Sequence, residues 1–69
     1  MEMTLNEYLQ KEAFNRRISL TTMSLEMGLS KSMLTRVKKM NRRPKADTYY
    51  KMAEYLEVDP MMLYNMKLN

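Results

Sequence analysis

The stretch "SLEMGLSKSMLTR", residues 24–36, contains Gly28, which is the only glycine of the 69-residue chain. Glycine adopts positive φ angles at low cost, and helices commonly end at a residue in that conformation. Leu34 and Val37 follow it with the spacing of one helical face. We therefore predict two short helices joined by a tight turn at Gly28, and the small side chain of Ser24 would leave room where they cross.

Helical spacing of apolar residues continues on both sides of this turn. The stretch "TLNE", residues 4–7, is typical of a capping box, and Pro44 interrupts the pattern because a proline disfavours helix at the residue before it. The pattern predicts one all-α domain, residues 1–69, with five helices. These are a first at about residues 5–17, a helix-turn-helix pair at about 20–39 whose second helix has Ser30 as its N-cap, a fourth that restarts near Asp47, and a last at about 60–67.

The composition narrows the classes of function. The chain has no cysteine and no histidine, so the usual zinc ligands and the usual general base are missing, and we expect no enzyme, no metal and no cofactor. No apolar run approaches the ~20 residues of a membrane span, and the N-terminus does not resemble a signal peptide, so we expect a cytoplasmic protein with no membrane partner. Five apolar residues at helical spacing are predicted to be buried: Met23, Met27, Met33, Met52 and Leu56.

The positive charge is concentrated in one segment. Residues 31–45 contain seven basic and no acidic side chains, whereas the rest of the chain contains five basic and eight acidic ones, a net charge of −3. Such segregation is typical of a surface that binds a polyanion, although a solvated basic turn has the same composition. Charge alone leaves both interpretations open.

The residues around the turn and the basic loop carry a resemblance that covers roughly residues 5–66. "ISLTTMSLEMGLSKSMLTRV" and "NRRPKADTYYKMAEYLEVDPMML" resemble the DNA-binding domains of the phage Cro and phage-repressor family, also called the XRE family of helix-turn-helix regulators. The resemblance implies a five-helix lambda-repressor-like or Cro-like helix-turn-helix fold, with Gly28 as the turn glycine. It also implies a small phage-type transcriptional regulator that binds double-stranded operator DNA through helix 3 in the major groove.

The resemblance also assigns roles to single residues. Lys31, Ser32 and Arg36 match positions that contact base edges, and the chemistry agrees because Lys and Arg suit the acceptors of guanine. A second set matches positions that contact the DNA backbone or neighbouring bases: Ser30, Thr35, Lys38, Lys39, Arg42, Arg43 and Lys45. Phosphate contacts of this kind position a protein on DNA and make its binding sensitive to salt.

The C-terminal segment "PMMLYNMKLN", residues 60–69, has more apolar residues than one helix face of a small body can bury. In the family this region often lies near the dimer contact, which implies a homodimer whose recognition helices lie one DNA turn apart, ~34 Å. The alternative is that the segment only closes the core of the monomer. The residues predicted at a partner or dimer interface are Met61, Met62, Tyr64 and Met66.

A second function stays open. Some small proteins of this family act by protein contact, as antirepressors or modulators that bind a partner repressor protein. The methionine-rich composition suits that role, as do Leu20, Lys38 and Met40, which depart from the common family pattern. The short chain suits a Cro-like protein, and a domain cut from a longer repressor is a further interpretation.

Overall fold

The fold consists of five α-helices and the short segments that join them. The computed structural model describes residues 3–40 and 43–68, without the side chain of Met40. The helices are α1 (Leu5–Arg16), α2 (Leu20–Glu26), α3 (Met33–Met40), α4 (Ala46–Leu56) and α5 (Pro60–Tyr64), and the described ranges contain no strand. The predicted all-α class and the predicted number of helices are thus confirmed. No helix in these ranges has the length and apolar character that crossing a bilayer requires.

The N-terminus of α1 is closed by its own sequence and by the C-terminal tail. The Thr4 hydroxyl accepts from the Glu7 N–H at 3.2 Å, and the Glu7 carboxylate accepts from the Thr4 N–H at 3.0 Å, so the predicted capping box is confirmed. The N–H groups of Leu5 and Asn6 donate to the two backbone carbonyls of residues 67–68, at 2.6 and 3.1 Å. The first-turn donors of α1, which have no partner within the helix, are therefore satisfied.

Gly28 ends α2 in the way that the sequence predicts. Its φ is +80°, and its N–H donates to the Leu25 carbonyl at 3.0 Å. The N–H of Leu29 donates to the Ser24 carbonyl at 2.9 Å. This pair of bonds is a Schellman motif, which satisfies the last carbonyls of a helix and reverses the chain.

Two other helices end in the same conformation without a glycine. Arg17 after α1 and Glu57 after α4 both have a φ of 58°. The residue after each donates its N–H to the carbonyl five positions back, that of Ala13 or Ala53, at 3.0 Å. A side chain in this conformation costs about 1–2 kcal/mol, because the Cβ atom crowds the following carbonyl oxygen.

A buried hydrogen bond joins α2 to the start of α3. Ser24 is completely buried, and its hydroxyl accepts from the backbone N–H of Leu34, the second residue of α3, at 3.1 Å. An N-terminal cap normally satisfies an N–H at this position, and it normally comes from the residue before the helix. Here a residue ten positions earlier in the chain provides it. Ser24 therefore allows the close approach of α2 and α3 and also fixes their contact.

The start of α3 differs from the prediction. Residues 31–32 form a turn, and the helix begins at Met33 rather than directly after Ser30. The Ser30 carbonyl accepts from the Met33 N–H at 3.1 Å, so Ser30 contributes a turn. The predicted N-cap is wrong because the first helical carbonyl is that of Ser32, which accepts from the Arg36 N–H at 2.8 Å, so Ser30 lies too early in the chain to cap the helix.

All five helices contribute to one apolar core. Four of the five residues predicted to be buried are in it, whereas Met33 is only half-buried. Met33 differs because it lies at the first position of α3 and lines an open cleft between α3 and the start of α4. The buried apolar residues are Leu5, Leu9, Ala13, Met23, Met27, Leu34, Val37, Tyr49, Met52, Ala53, Leu56 and Leu63.

Helix α5 is shorter than the sequence predicts. It begins at Pro60, with the Asp59 carboxylate accepting from the Met61 N–H at 2.9 Å, and it ends at Tyr64 instead of near residue 67. Met66 and Leu68 leave the helix and pack, half-buried, against the core. The helix ends early because the carbonyls that follow bond to the start of α1.

Replacing Ser24 by alanine should lower the free energy of unfolding by about 1–3 kcal/mol, because it leaves the buried Leu34 N–H without its acceptor. Urea unfolding followed by circular dichroism measures this. Ser30→Ala is the matched control, since Ser30 is exposed, and it should change stability by less than about 0.5 kcal/mol. A larger loss for Ser30→Ala than for Ser24→Ala would contradict the assignment.

Substitutions at two positions with a left-handed backbone should change the stability of the protein in opposite directions. A Cβ atom at Gly28 meets no atom within 4 Å, so Gly28→Ala should cost only the backbone strain, about 1–2 kcal/mol. Glu57→Gly should stabilise the protein by up to about 1 kcal/mol, since relief of strain is partly offset by the entropy of glycine. Changes of the same sign in the melting temperature of both variants would contradict this account.

Candidate functional site

The exposed face of α3 is basic. Leu34 and Val37 lie in the core, and this orientation leaves Arg36, Lys38 and Lys39 exposed to solvent. The helix has no acidic residue to offset them, and Thr35 is half-buried. The described basic side chains of α3 therefore all face solvent.

Three further residues predicted to contact DNA lie in the turn before α3. Ser30 and Lys31 are exposed, and Ser32 is half-buried with its carbonyl accepting from the Arg36 N–H at 2.8 Å. Lys31 and Ser32 thus lie at the N-terminal entrance of α3, whereas the sequence predicted them within the helix. Arg36 is the one predicted base-contacting residue that belongs to α3 itself.

A cleft of about 430 Å³ separates α3 from the start of α4. Three cations line it, Arg36, Arg43 and Lys45, and Asp47 is the carboxylate among its lining residues. The Asp47 side chain accepts from the Thr48 N–H at 3.0 Å, so it serves the first turn of α4. The basic side chains outnumber the acidic one, and the cleft is therefore suited to an anion.

Arg43 is held in place at the edge of this cleft. Its Nη1 atom donates to the backbone carbonyl of Tyr64 at 2.5 Å, and its guanidinium carbon lies 4.5 Å from the centre of the Tyr64 ring. An arginine above an aromatic face is attracted by the negative charge density of the ring. The basic loop is thus joined to the end of α5, a contact that the sequence did not predict.

Tyr49 lies behind this contact. Its ring meets the Tyr64 ring edge to face with the centres 5.5 Å apart, and the side chain is buried. Within the described residues its hydroxyl has no hydrogen-bond partner of ordinary geometry. Burial raises the pKa of the Tyr49 hydroxyl, and the nearby charge of Arg43 opposes part of that shift.

Carboxylates do not neutralise the basic surface. Within residues 3–40 and 43–68 the one ion pair joins Glu12 and Arg16, 3.4 Å apart on α1. A separate network ties α1 and α2 to α4: Arg16 lies 4.6 Å from the Tyr55 ring centre, and the Tyr55 hydroxyl donates to Glu26. That hydrogen bond is the main cause of the raised pKa of Tyr55. The acidic residues of this network therefore interact with Arg16 and Tyr55 rather than with the cations of α3.

The residues predicted at a partner interface divide between two surfaces. Met61 and Tyr64, 58% and 46% exposed, line a groove of about 200 Å³ with Tyr50, which is 64% exposed. Met62 and the half-buried Met66 line a different cleft near the start of α1. The structure thus separates the four methionine and tyrosine residues that the sequence had grouped.

Two of the predicted positions are not described. Arg42, predicted to contact the DNA backbone, lies outside the described residues, as does the side chain of Met40. Sequence reasoning missed the roles of Tyr49 and Tyr64 at the basic cleft. Arg43 and Tyr64 are 21 positions apart, and no periodic pattern in the sequence links residues at that separation, so only the fold shows their contact.

Comparisons with known proteins add no relative. No protein-family model matches the chain, and neither a curated protein nor a solved structure matches it. Among the described residues, no group of three or more acidic, histidine or cysteine side chains is arranged to hold a metal ion. The proposed function therefore rests on the geometry and charge of the surface described above.

Removing the Tyr49 hydroxyl should make the protein less sensitive to alkali. Because the pKa is raised in the folded chain, the unfolded chain releases this proton at lower pH, and the free energy of unfolding falls as pH rises above about 10. Tyr49→Phe should be as stable as the wild type or up to about 1 kcal/mol more stable at neutral pH, since the buried hydroxyl has no hydrogen-bond partner of ordinary geometry among the described residues.

Urea unfolding at pH 7.5 and pH 10.5 measures both effects, and Tyr49→Phe should lose less stability between them than the wild type. Tyr50→Phe, at an exposed neighbour, is the control for loss of a surface hydroxyl. An equal alkaline loss in Tyr49→Phe and the wild type would contradict the account.

Proposed function

We propose that the chain is a small phage-type transcriptional regulator with a lambda-repressor-like, Cro-like helix-turn-helix fold, which binds double-stranded operator DNA through α3. The observation that carries this proposal is the exposed face of α3, where Arg36, Lys38 and Lys39 have no carboxylate partner among the described residues. Uncompensated cations on one helix are the electrostatic signature of a polyanion site. A DNA-binding role needs no catalytic group, metal or cofactor, and it implies a cytoplasmic location.

The geometry of α2 and α3 supports a role in the major groove. An α-helix with its side chains is about 10–12 Å wide, and the major groove of B-DNA is about 12 Å wide. The core contacts of Leu34 and Val37 and the Ser24 hydrogen bond hold α3 on the body of the protein, so its other face is presented as a rigid surface.

Lys31, Ser32 and Arg36 are the proposed base-contacting residues. In helix-turn-helix proteins the N-terminal residues of the recognition helix reach the base edges. Lys31 and Ser32 precede the first turn of α3, and Arg36 lies one turn further along the exposed side. Their position at the N-terminal end of α3 is consistent with that mode of docking.

The proposed backbone contacts flank these residues on both sides. The cleft between α3 and α4 would accept a phosphate through Arg43 and Lys45, and Lys38 and Lys39 continue the basic surface along α3. Each phosphate that is neutralised releases counterions, so we expect the affinity to fall steeply with salt. The proposed backbone-contacting set remains Ser30, Thr35, Lys38, Lys39, Arg42, Arg43 and Lys45.

A second candidate function is binding to a partner protein, such as a repressor that the chain would modulate. The exposed cluster of Tyr50, Met61 and Tyr64 around the small groove favours it, because apolar side chains gathered at a surface often mark a protein contact. The same cluster would serve a two-fold homodimer on DNA. The groove and the basic cleft have different lining residues, so the two functions are compatible.

Selection from a pool of random duplex DNA, followed by gel shifts across a salt series, tests the DNA-binding function. Arg36→Ala should weaken binding to the selected duplex by about 1–3 kcal/mol and relax its sequence preference at one position. Lys38→Ala should weaken binding to the selected and the random duplexes alike. The slope of log affinity against log salt concentration should fall in magnitude by about 0.9.

Lys11→Ala is the matched control, because Lys11 is an exposed lysine on α1 outside the basic segment. It should bind both duplexes like the wild type. Equal effects of the Lys11, Arg36 and Lys38 variants would show only a general loss of charge. If no duplex is enriched by the wild type at low salt, the DNA-binding proposal fails and the protein-contact function takes its place.

A further inference from the structure

The Arg43 side chain contacts two parts of the molecule. It lines the basic cleft together with Arg36 and Lys45, and it also contacts Tyr64 at the end of α5. The sequence assigned these two residues to separate roles, Arg43 to the DNA backbone and Tyr64 to a partner interface. The structure connects them directly.

The contact leaves most of the guanidinium group available. An arginine has five N–H donors, and a single hydrogen bond joins Arg43 to the Tyr64 carbonyl. The planar group lies over the Tyr64 ring, 4.5 Å from its centre, so its orientation is fixed as well as its position. The Arg43 side chain is exposed, and its remaining N–H groups can meet an anion in the cleft.

The Tyr64 ring is itself held from behind. Tyr49 is only 2% exposed, and its ring contacts the Tyr64 ring edge to face at 5.5 Å. The Tyr49 ring therefore supports Tyr64 from the interior, and the Tyr49 hydroxyl also lies close enough to Arg43 for that cation to oppose the rise of its pKa. An arginine side chain that is already held by such contacts loses less conformational entropy on binding than an unrestrained one.

We propose that Tyr64 is a positioning residue for phosphate binding: its ring and its backbone carbonyl hold the Arg43 guanidinium at the edge of the basic cleft, ready for a backbone phosphate of duplex DNA. This inference rests on the proposed DNA-binding function and deepens it. A planar guanidinium binds phosphate with two parallel N–H groups, so its orientation matters more than that of a lysine. A residue on α5 would thus affect DNA binding without touching the DNA.

Binding of a random-sequence duplex by fluorescence anisotropy tests the proposal. Tyr64→Ala should weaken binding about two- to fivefold, as expected from the loss of one exposed cation–π contact. Tyr64→Phe keeps both the ring and the carbonyl, and it should bind like the wild type. Met61→Ala measures the loss of the groove surface itself, because Met61 lies on the same helix as Tyr64 and lines the same groove. Phe14→Ala, at an exposed aromatic residue of α1, is the control that should bind like the wild type.

A double-mutant cycle separates positioning from a contact between subunits. Arg43→Ala alone should lower the magnitude of the salt slope of binding by about 0.9. In that background, Tyr64→Ala should not weaken DNA binding further. If Tyr64→Ala and Met61→Ala weaken binding equally, or if Tyr64→Ala still acts without Arg43, the positioning role is overturned. A gain in affinity for Tyr64→Ala also overturns it, because Tyr64 would then withhold Arg43 from the DNA.

A measurement on the free protein keeps this inference distinct from the proposed function. The Arg43 Nε–H signal in NMR should show a rigid side chain in the wild type and in Tyr64→Phe, and a mobile one in Tyr64→Ala. An Arg43 side chain that is mobile in the wild type overturns the positioning role, whatever the DNA binding. A wild type that binds no duplex overturns the proposed function, and the phosphate role of Tyr64 with it.

Discussion

The hydrogen bond from the Leu34 N–H to the buried Ser24 hydroxyl is the contact on which the arrangement of this small protein depends. It joins α2 to the first turn of α3 at the point where Gly28 has reversed the chain. A larger residue at position 24 would push the helices apart, and an apolar one would leave a buried donor unsatisfied. Because this contact sets how α3 lies on the core, it also decides which side of α3 faces solvent.

Distant partners also close two other helix ends, the start of α1 and the end of α2. The N–H groups at the start of α1 donate to the carbonyls of residues 67–68, near the other end of the chain. The Lys51 ammonium donates to the Gly28 carbonyl, after the end of α2, at 3.4 Å. A chain of this size buries a modest share of its surface, so its stability rests on few contacts. Helix ends that are closed by other segments therefore bind the five short helices into one cooperative unit.

The proposed function follows from the way in which this body presents charge. The core holds the apolar stripe of α3, and the cations on its other side lie beside the cleft that leads to α4. Arg43 then connects that cleft to α5 through Tyr64. The basic surface and the exposed apolar cluster around Met61 are neighbours, so a partner on α5 would be close to the residues proposed to hold DNA. DNA binding and protein contact would then be physically linked.

The sequence by itself determined the features that depend on neighbouring residues. The number and approximate positions of the helices, the capping box at Thr4 and the left-handed turn at Gly28 are local features, and each is present in the structure. The concentration of charge in residues 31–45 is likewise a property of the sequence alone. The inward faces of α2, α3 and α4 were predicted for the same reason, since apolar spacing reports which side is buried.

Only the tertiary structure decided which distant groups satisfy one another. Ser24 rather than Ser30 serves the start of α3, and α5 ends at Tyr64 because the tail is engaged at α1. The Arg43 guanidinium lies against Tyr64 for a similar reason, although neither residue type implies the other. Such contacts join residues ten or more positions apart, and their partners are chosen by the packing of the helices, which no local pattern in the sequence records.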